Sequence, residues 1–143
     1  MRDSSYVAVH DPVSEARRYV ENAKEILREK ANLDPETQFY RDKKYVRMAG
    51  NTLWNGVLLI LEAVFHVGEN KKNRPDFPDY KAAIANRDLK LLNLVQSGYD
   101  LMHLSMGYDG CQRKAVCQDG IRLANEIIDR CSKLLSYEEE SNR

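Results

Sequence analysis

Four polar residues at helical spacing are the first candidates for chemistry in this sequence: Asn51, Asn55, Glu62 and His66. At about 100° per residue they fall within an arc of roughly 60° on one side of a helix. Glu62 and His66 stand one turn apart, so they could share a proton or supply two ligands to a metal. Helical bundles that bind two metals use Glu-x-x-His pairs with further carboxylates, and this chain contains no such pair. The competing interpretation is a row that is exposed to solvent or merely hydrogen-bonded.

A second candidate group surrounds His103. Tyr99 precedes it by one turn, Asp100 is nearby, and Tyr108 and Asp109 follow at the predicted end of the helix. These side chains could line a small polar pocket near residues 107 to 110, and histidine titrates near neutral pH. The alternative is that His103 occupies a boundary position and bonds to backbone at the turn.

The cysteines and histidines do not form a recognisable metal or redox motif. Cys111, Cys117 and Cys131 contain no CxxC pair, and none of the three histidines is spaced for a site with another histidine or a cysteine. Cys117 and Cys131 lie about four turns, or 21 Å, apart on one predicted helix and cannot form a disulfide along it. The motifs of phosphate-binding loops, zinc proteases and common hydrolases are also absent. We therefore predict no catalytic residue, no metal and no cofactor.

One basic segment could contact phosphates. Arg41, Lys43, Lys44 and Arg47 span fewer than two turns, whereas the whole chain has 22 basic and 22 acidic side chains. Zero net charge provides no global field to attract nucleic acid or anionic lipid, so any such partner needs a local patch. The alternative is a solvated helical face balanced by Asp42 and the acidic side chains of the preceding helix.

The elements that would position these residues are helices. The stretch 45–68 is the longest apolar-periodic run, and it predicts the central helix of a bundle. Its predicted buried stripe consists of Val46, Ala49, Gly50, Leu53, Val57, Ile60, Leu61 and Val64. Trp54, Leu58, Leu59 and Phe65 lie outside that stripe and predict contacts with more than one neighbour.

The remaining elements follow from caps and breaks. We predict a flexible arm over 1–10, a first helix from Asp11-Pro12 to about Lys30, and a central helix that begins near Asp34-Pro35 or by Tyr40. A loop over 68–78, a short helix over 79–85, a fourth helix from Asp88 to Gly107, a turn over 108–110, a fifth helix over 112–135 and a frayed tail over 137–143 complete the chain. No alternating strand pattern competes. The prediction is one all-α domain, an antiparallel bundle of four long helices plus one short helix.

Two segments resemble a known family: FYRDKKYVRMAGNTLWNGVLLILEAVF (39–65) and YKAAIANRDLKLLNLVQSGYDLMHLSMGYDG (80–110). They resemble a small bacterial family of unknown function whose bundle is similar to the HEPN domain (higher eukaryotes and prokaryotes nucleotide-binding). The resemblance implies a HEPN-like fold and a helical dimer. Ribonuclease members of the HEPN group carry an Arg-x4-His motif. Here Ser5, Leu61 and Gly98 stand five residues before the three histidines, and Thr52 stands five after Arg47.

The functional expectation is a non-catalytic protein that acts by self-association or by binding an unidentified protein. A homodimer is the expected assembly, without nucleic acid or membrane as partners. The absence of a leader, the unpaired cysteines, and Glu62 and His66 interrupting the apolar run favour a soluble protein in the cytoplasm. The alternative is a diverged HEPN-like protein that binds nucleotide or RNA, or a ribonuclease, through the basic segment and His103.

Overall fold

Three helices begin where the sequence supplies a cap. The computed structural model describes residues 11–70 and 73–141, so the predicted arm over 1–10 lies outside the described residues. Helix α1 spans Pro12–Glu29, and the Asp11 carboxylate accepts the N–H of Val13 at 3.1 Å. Helix α3 spans Phe77–Ala85 behind a reciprocal cap between Asp76 and Asp79. These side chains satisfy N–H groups that have no partner inside the helix.

The central helix α2 spans Lys43–Phe65, so the predicted start near Asp34-Pro35 or Tyr40 is wrong. Residues 35–37 form a turn, and antiparallel bridges pair Leu33 with Tyr40 and Phe39 with Arg113. Asn32 and Gln38 have positive φ angles of 58° and 63°, which a right-handed helix excludes. The proline after Asp34 therefore starts a turn instead of a helix.

The predicted loop over 68–78 is partly helical. Helix α2 ends at Phe65, its C-cap His66 has a φ of 53° in the left-handed region, and a 3-10 helix follows over Val67–Asn70. The short helix α3 begins at Phe77, two residues earlier than predicted. Asp76 is its N-cap residue, so Pro78 lies inside the first turn and not before it. The connection between these two short elements includes residues 71–72, which lie outside the described residues.

The predicted fourth helix consists of two types of helix. Helix α4 spans Leu89–Gly98, capped by Asp88, and a π-helix continues over Tyr99–Tyr108. Helix α5 spans Lys114–Ser141 and is longer than predicted. Residues 137–141, assigned to a frayed tail, thus lie in its last turns, and residues 142–143 are outside the described part of the chain.

Helix α2 forms the centre of the core, as predicted. All eight residues of the predicted stripe are buried, as are Trp54 and Gly56, and α2 contacts α1, the π-helix and α5. Among the described residues there are isolated bridges and no strand, which confirms an all-α fold. Against the sequence expectation, α2 is long and apolar enough to cross a membrane by length and composition, with a mean hydropathy of 1.3 over its best window. Half of that window is buried inside the fold, an arrangement consistent with the core helix of a soluble protein.

Helix α2 and the π-helix cross without space for a methyl group. A Cβ atom at Gly50 would lie 2.5 Å from the Met106 Cβ and 2.6 Å from the Gly107 backbone nitrogen. At Gly107, a Cβ atom would lie 2.5 Å from the Asn51 Oδ1. Glycine at position 50 is therefore required by the close approach of the π-helix backbone, whereas Gly107 leaves space for the Asn51 side chain.

Candidate functional site

Three of the four polar residues predicted on α2, Asn51, Asn55 and Glu62, belong to a row that the other described helices leave open. We define the outer row as Met48, Asn51, Asn55, Leu59 and Glu62, which follow one another at spacings of three and four. Met48, Asn51 and Asn55 are exposed, and Leu59 and Glu62 are half-buried. The Met48 residue is 44% exposed although it belongs to the most buried helix of the bundle. The row therefore combines amide, carboxylate and apolar groups on one accessible surface.

Glu62 and His66 form separate contacts. The Glu62 Oε1 accepts the N–H of Gly68 at 2.8 Å and the Tyr80 hydroxyl at 3.5 Å. Burial raises the pKa of the Tyr80 hydroxyl, and the nearby Glu62 carboxylate raises it further. The His66 Nδ1 lies 3.0 Å from the Glu69 Oε1. His66 ends the helix in a left-handed conformation, so Glu62 and His66 have different hydrogen-bond partners and do not act as one site here.

A groove of about 440 Å³ lies at the Glu62 end of the outer row. Its walls come from α1, the second half of α2, the following loop and α3. They are Tyr19, Asn55, Leu58, Leu59, Glu62, Gly68, Arg74, Pro75 and Tyr80. The volume falls in the range of ordinary ligand pockets, and the lining mixes apolar walls with a few polar groups. The helical periodicity of α2 predicted Asn55 and Glu62 as site residues. Tyr19, Arg74 and Tyr80 come from other elements, and no local sequence pattern places them in the groove.

His103 packs into an aromatic cluster instead of the turn that follows it. The rings of Phe77 and Tyr99 stack with centroids 4.1 Å apart, and Trp54 packs edge-on against both. The His103 ring lies 5.1 Å from the Tyr99 ring and 6.0 Å from Trp54. Its Nδ1 is buried and has no hydrogen-bond partner among the described residues, which typically costs about 1–3 kcal/mol.

The residues that were predicted to line one pocket near residues 107 to 110 therefore lie in two different environments. Tyr99 and His103 belong to the aromatic cluster, whereas Tyr108 is 76% exposed and Asp109 is exposed. Asp100 is exposed as well. The ten-residue π-helix that carries both groups is itself unusual, because such segments are rare and frequently occur at functional sites.

The predicted basic segment lies at one end of the bundle, where the chain brings further cations to it. Arg41 contacts Asp34 at 3.6 Å, and the Arg47 Nε donates to the Tyr108 carbonyl at 3.2 Å. The Lys44 ammonium lies 5.3 Å from the centroid of the Tyr45 ring. The bridge between Phe39 and Arg113 adds residues 113 and 114 to this surface. We call the surface the basic end: Arg41, Lys43, Lys44, Arg47, Arg113 and Lys114, with the exposed rings of Phe39 and Tyr108.

The buried cysteine thiols are expected to be unreactive in this fold. Burial raises the pKa of the Cys117 and Cys131 thiols to about 12 each, so both are protonated at neutral pH. Cys111 is half-buried, and all three thiols are free. In the part of the chain that the structure describes, no three histidine, cysteine or acidic side chains are grouped to hold a metal ion. Independence from metal remains a prediction.

Comparison with known proteins places the chain among proteins of unknown function. A solved structure of a protein of unknown function from Dyadobacter fermentans is similar to this chain, with 39% sequence identity and a TM-score of 0.78. The similarity covers 89% of this chain and 98% of that one. No curated protein matches. Residues 11–133 match the model of a family described as a domain of unknown function, DUF5618, and this chain belongs to that family.

Proposed function

We propose that this protein is a non-catalytic binding protein that associates with a second copy of itself through the outer row of α2. The observation that carries the proposal is the exposure of Met48 and the partial exposure of Leu59 on the helix that forms the centre of the core. Apolar side chains on an open face favour association, because burying them removes apolar area from water. The resemblance to HEPN-like bundles, which implies a helical dimer, supports the same assembly.

The contacts of the candidate residues support a role in binding and not in catalysis. The Glu62 carboxylate receives the Gly68 N–H, and His66 pairs with Glu69, so both groups stabilise the end of α2. His103 faces aromatic rings and has no acidic partner among its described contacts. A general acid or base acts on the proton of a bound substrate, and the groups at the end of α2 are instead bonded to the protein itself. A cytoplasmic location belongs to this proposal, since three free cysteines suit a reducing compartment.

The assembly can be tested by light scattering coupled to size exclusion. We expect a mass of twice 16.5 kDa at high micromolar concentration. Met48→Glu should convert this species to a monomer, because it places a charge on the apolar part of the outer row. Leu89→Glu is the matched control, since Leu89 is 67% exposed at the start of α4 and away from the outer row. A wild-type monomer at this concentration would contradict the proposal.

The second candidate function is binding of single-stranded RNA at the basic end. The observation that favours it is the pair of exposed rings, Phe39 and Tyr108, among cations that the fold gathers from residues 41–47 and 113–114. Basic grooves with aromatic rings bind single strands through phosphate contacts and stacking. Asp42 and Asp109 belong to the same surface, and Arg41 and Arg47 already have protein partners. We therefore retain the expectation of no binding at physiological salt, and the last prediction below tests it.

A further inference from the structure

The groove at the Glu62 end of the outer row has the shape and position to receive a side chain from the other end of the same row. We propose that it binds Met48 of a second copy, in an antiparallel pairing of two α2 helices centred on Asn55. This inference rests on the proposed self-association and specifies its geometry.

The spacing of the outer row makes it self-complementary in the antiparallel direction. Met48 and Glu62 stand at equal sequence distances on either side of Asn55. In a two-fold contact, residue i of one copy meets residue j of the other, and j meets i. Pairing two outer rows about Asn55 therefore places each Met48 at the groove of the other copy, and it places the two Asn55 amides opposite each other.

The groove fits a methionine side chain. Tyr19, Leu58, Leu59 and Tyr80 provide its apolar walls, and its volume of about 440 Å³ exceeds what one side chain requires. Met48 is 44% exposed, so it is free to enter such a groove. Methionine has three rotatable bonds and a polarisable sulfur, which let it fill irregular apolar spaces.

Charge along α2 favours the antiparallel direction over the parallel one. Lys44 lies one turn before Met48, whereas Glu62 and Glu69 lie at the other end of the row. An antiparallel second copy brings Lys44 towards these carboxylates, and a parallel one places like charges together. Arg74 lines the same groove and offsets part of this complementarity. We therefore expect Met48 to contribute more to the dimer than the Lys44 and Glu62 pair.

Cysteine cross-linking tests the register. Asn55→Cys, introduced into a Cys111→Ser background, should form a disulfide-linked species of twice the monomer mass under mild oxidation, because the two copies meet at this position. The same background carrying Asn22→Cys, at an exposed position on α1, is the control and should stay monomeric under denaturing conditions. If Asn55→Cys forms no more linked dimer than Asn22→Cys while light scattering still reports a dimer, the register is wrong although self-association stands.

Charge exchange tests the orientation independently. We expect Lys44→Glu and Glu62→Lys each to raise the dimer Kd two- to fivefold, the range for an exposed ion pair. An equimolar mixture of the two variants should recover dimer, since every cross-pair in the mixed species again joins opposite charges. The weakening by each single variant is specific to the antiparallel pairing, because a parallel pairing already places like charges together in wild type. Glu62→Gln keeps an acceptor for the Gly68 N–H, and it should weaken the dimer without changing the thermal midpoint.

Met48→Glu should raise the Kd about tenfold or more. A dimer that persists in Met48→Glu, or a mixture that does not recover, would overturn this geometry and leave the groove to another occupant.

Discussion

At Gly50, the side of α2 that meets the π-helix has no space for one carbon atom, whereas Met48, two residues earlier, is almost half exposed. The backbone of the π-helix covers the first side, whereas no described residue of this chain covers the second. Ten residues of α2 are buried, and the outer row shares their helix. The difference indicates that α2 has two tasks: one face determines the fold, and the other remains available to a partner.

The largest expected effect comes from placing a charge on the closed face. Leu61→Asp should unfold the domain, because Leu61 is fully buried and an unpaired carboxylate there costs several kcal/mol against a total stability of about 5–15 kcal/mol. Leu89→Asp, at a position that is 67% exposed at the start of α4, is the matched control and should unfold cooperatively near the wild-type temperature. Circular dichroism during heating distinguishes the two. A cooperative transition of Leu61→Asp at the wild-type temperature would show that α2 is not the central helix.

A smaller effect is expected from a single methyl group at the crossing. Gly50→Ala should destabilise the protein by about 1–3 kcal/mol, because the new Cβ meets backbone atoms of the π-helix that cannot rotate away. The better helix propensity of alanine offsets about 1 kcal/mol of the gross strain. Asn22→Ala, at an exposed position on α1, is the control and should change the free energy of unfolding by less than about 0.5 kcal/mol. Denaturant titration measures both, and equal midpoints would mean that the crossing relaxes without cost.

The core of α2 could be predicted from the sequence, whereas the surfaces could not. A buried stripe at helical spacing is a local property, so residues such as Leu53 and Leu61 were identified correctly. The π-helix depends on its tertiary contact with α2. The sequence signals for that contact are the glycines at 50 and 107, which interrupt helical patterns. The groove needs Tyr19 and Tyr80 from other helices. The basic end needs the bridge between Phe39 and Arg113, which are far apart in sequence.

The third test compares polar contacts that close the bundle with polar contacts on its surface. The Asp88 side chain is only 8% exposed, caps α4 and accepts two hydrogen bonds from Arg130, at 2.7 and 2.9 Å. The Arg130 guanidinium is the main cause that lowers the pKa of Asp88 from its ordinary value of 3.8, and the helix N–H groups add to it. Because the folded pKa is depressed, the stabilisation is present above about pH 4 and is lost as the pH falls through the folded value.

Asp88→Asn should therefore lower the free energy of unfolding by about 1 kcal/mol at pH 7, and the difference from wild type should shrink as the pH falls below about 4. The control is Asp119→Asn, because Asp119 belongs to an exposed pair with Arg122 and should contribute almost nothing. Denaturant titrations at several pH values test this expectation. A constant difference between Asp88→Asn and wild type down to pH 2 would contradict it.

The smallest expected effect concerns Lys44, where the outer row meets the basic end. If the outer row of α2 binds a second copy and the basic end does not bind RNA, then RNA binding should be undetectable in wild type at about 150 mM salt. Replacing Arg41 and Lys44 by alanine should leave it undetectable.

The physical reason is the small number of available cations. Arg41 and Arg47 already contact protein groups, and Arg113 and Lys114 replace them as available cations. The basic end thus offers about four phosphate contacts, and at about 0.7 to 0.9 per phosphate the limiting salt slope is near 3 per protomer. Binding that depends on so few contacts weakens steeply with salt unless Phe39 and Tyr108 stack on bases. A gel shift at low micromolar protein that survives 150 mM salt in wild type and disappears in the double variant, but persists in Met48→Glu, would show that the basic end binds RNA.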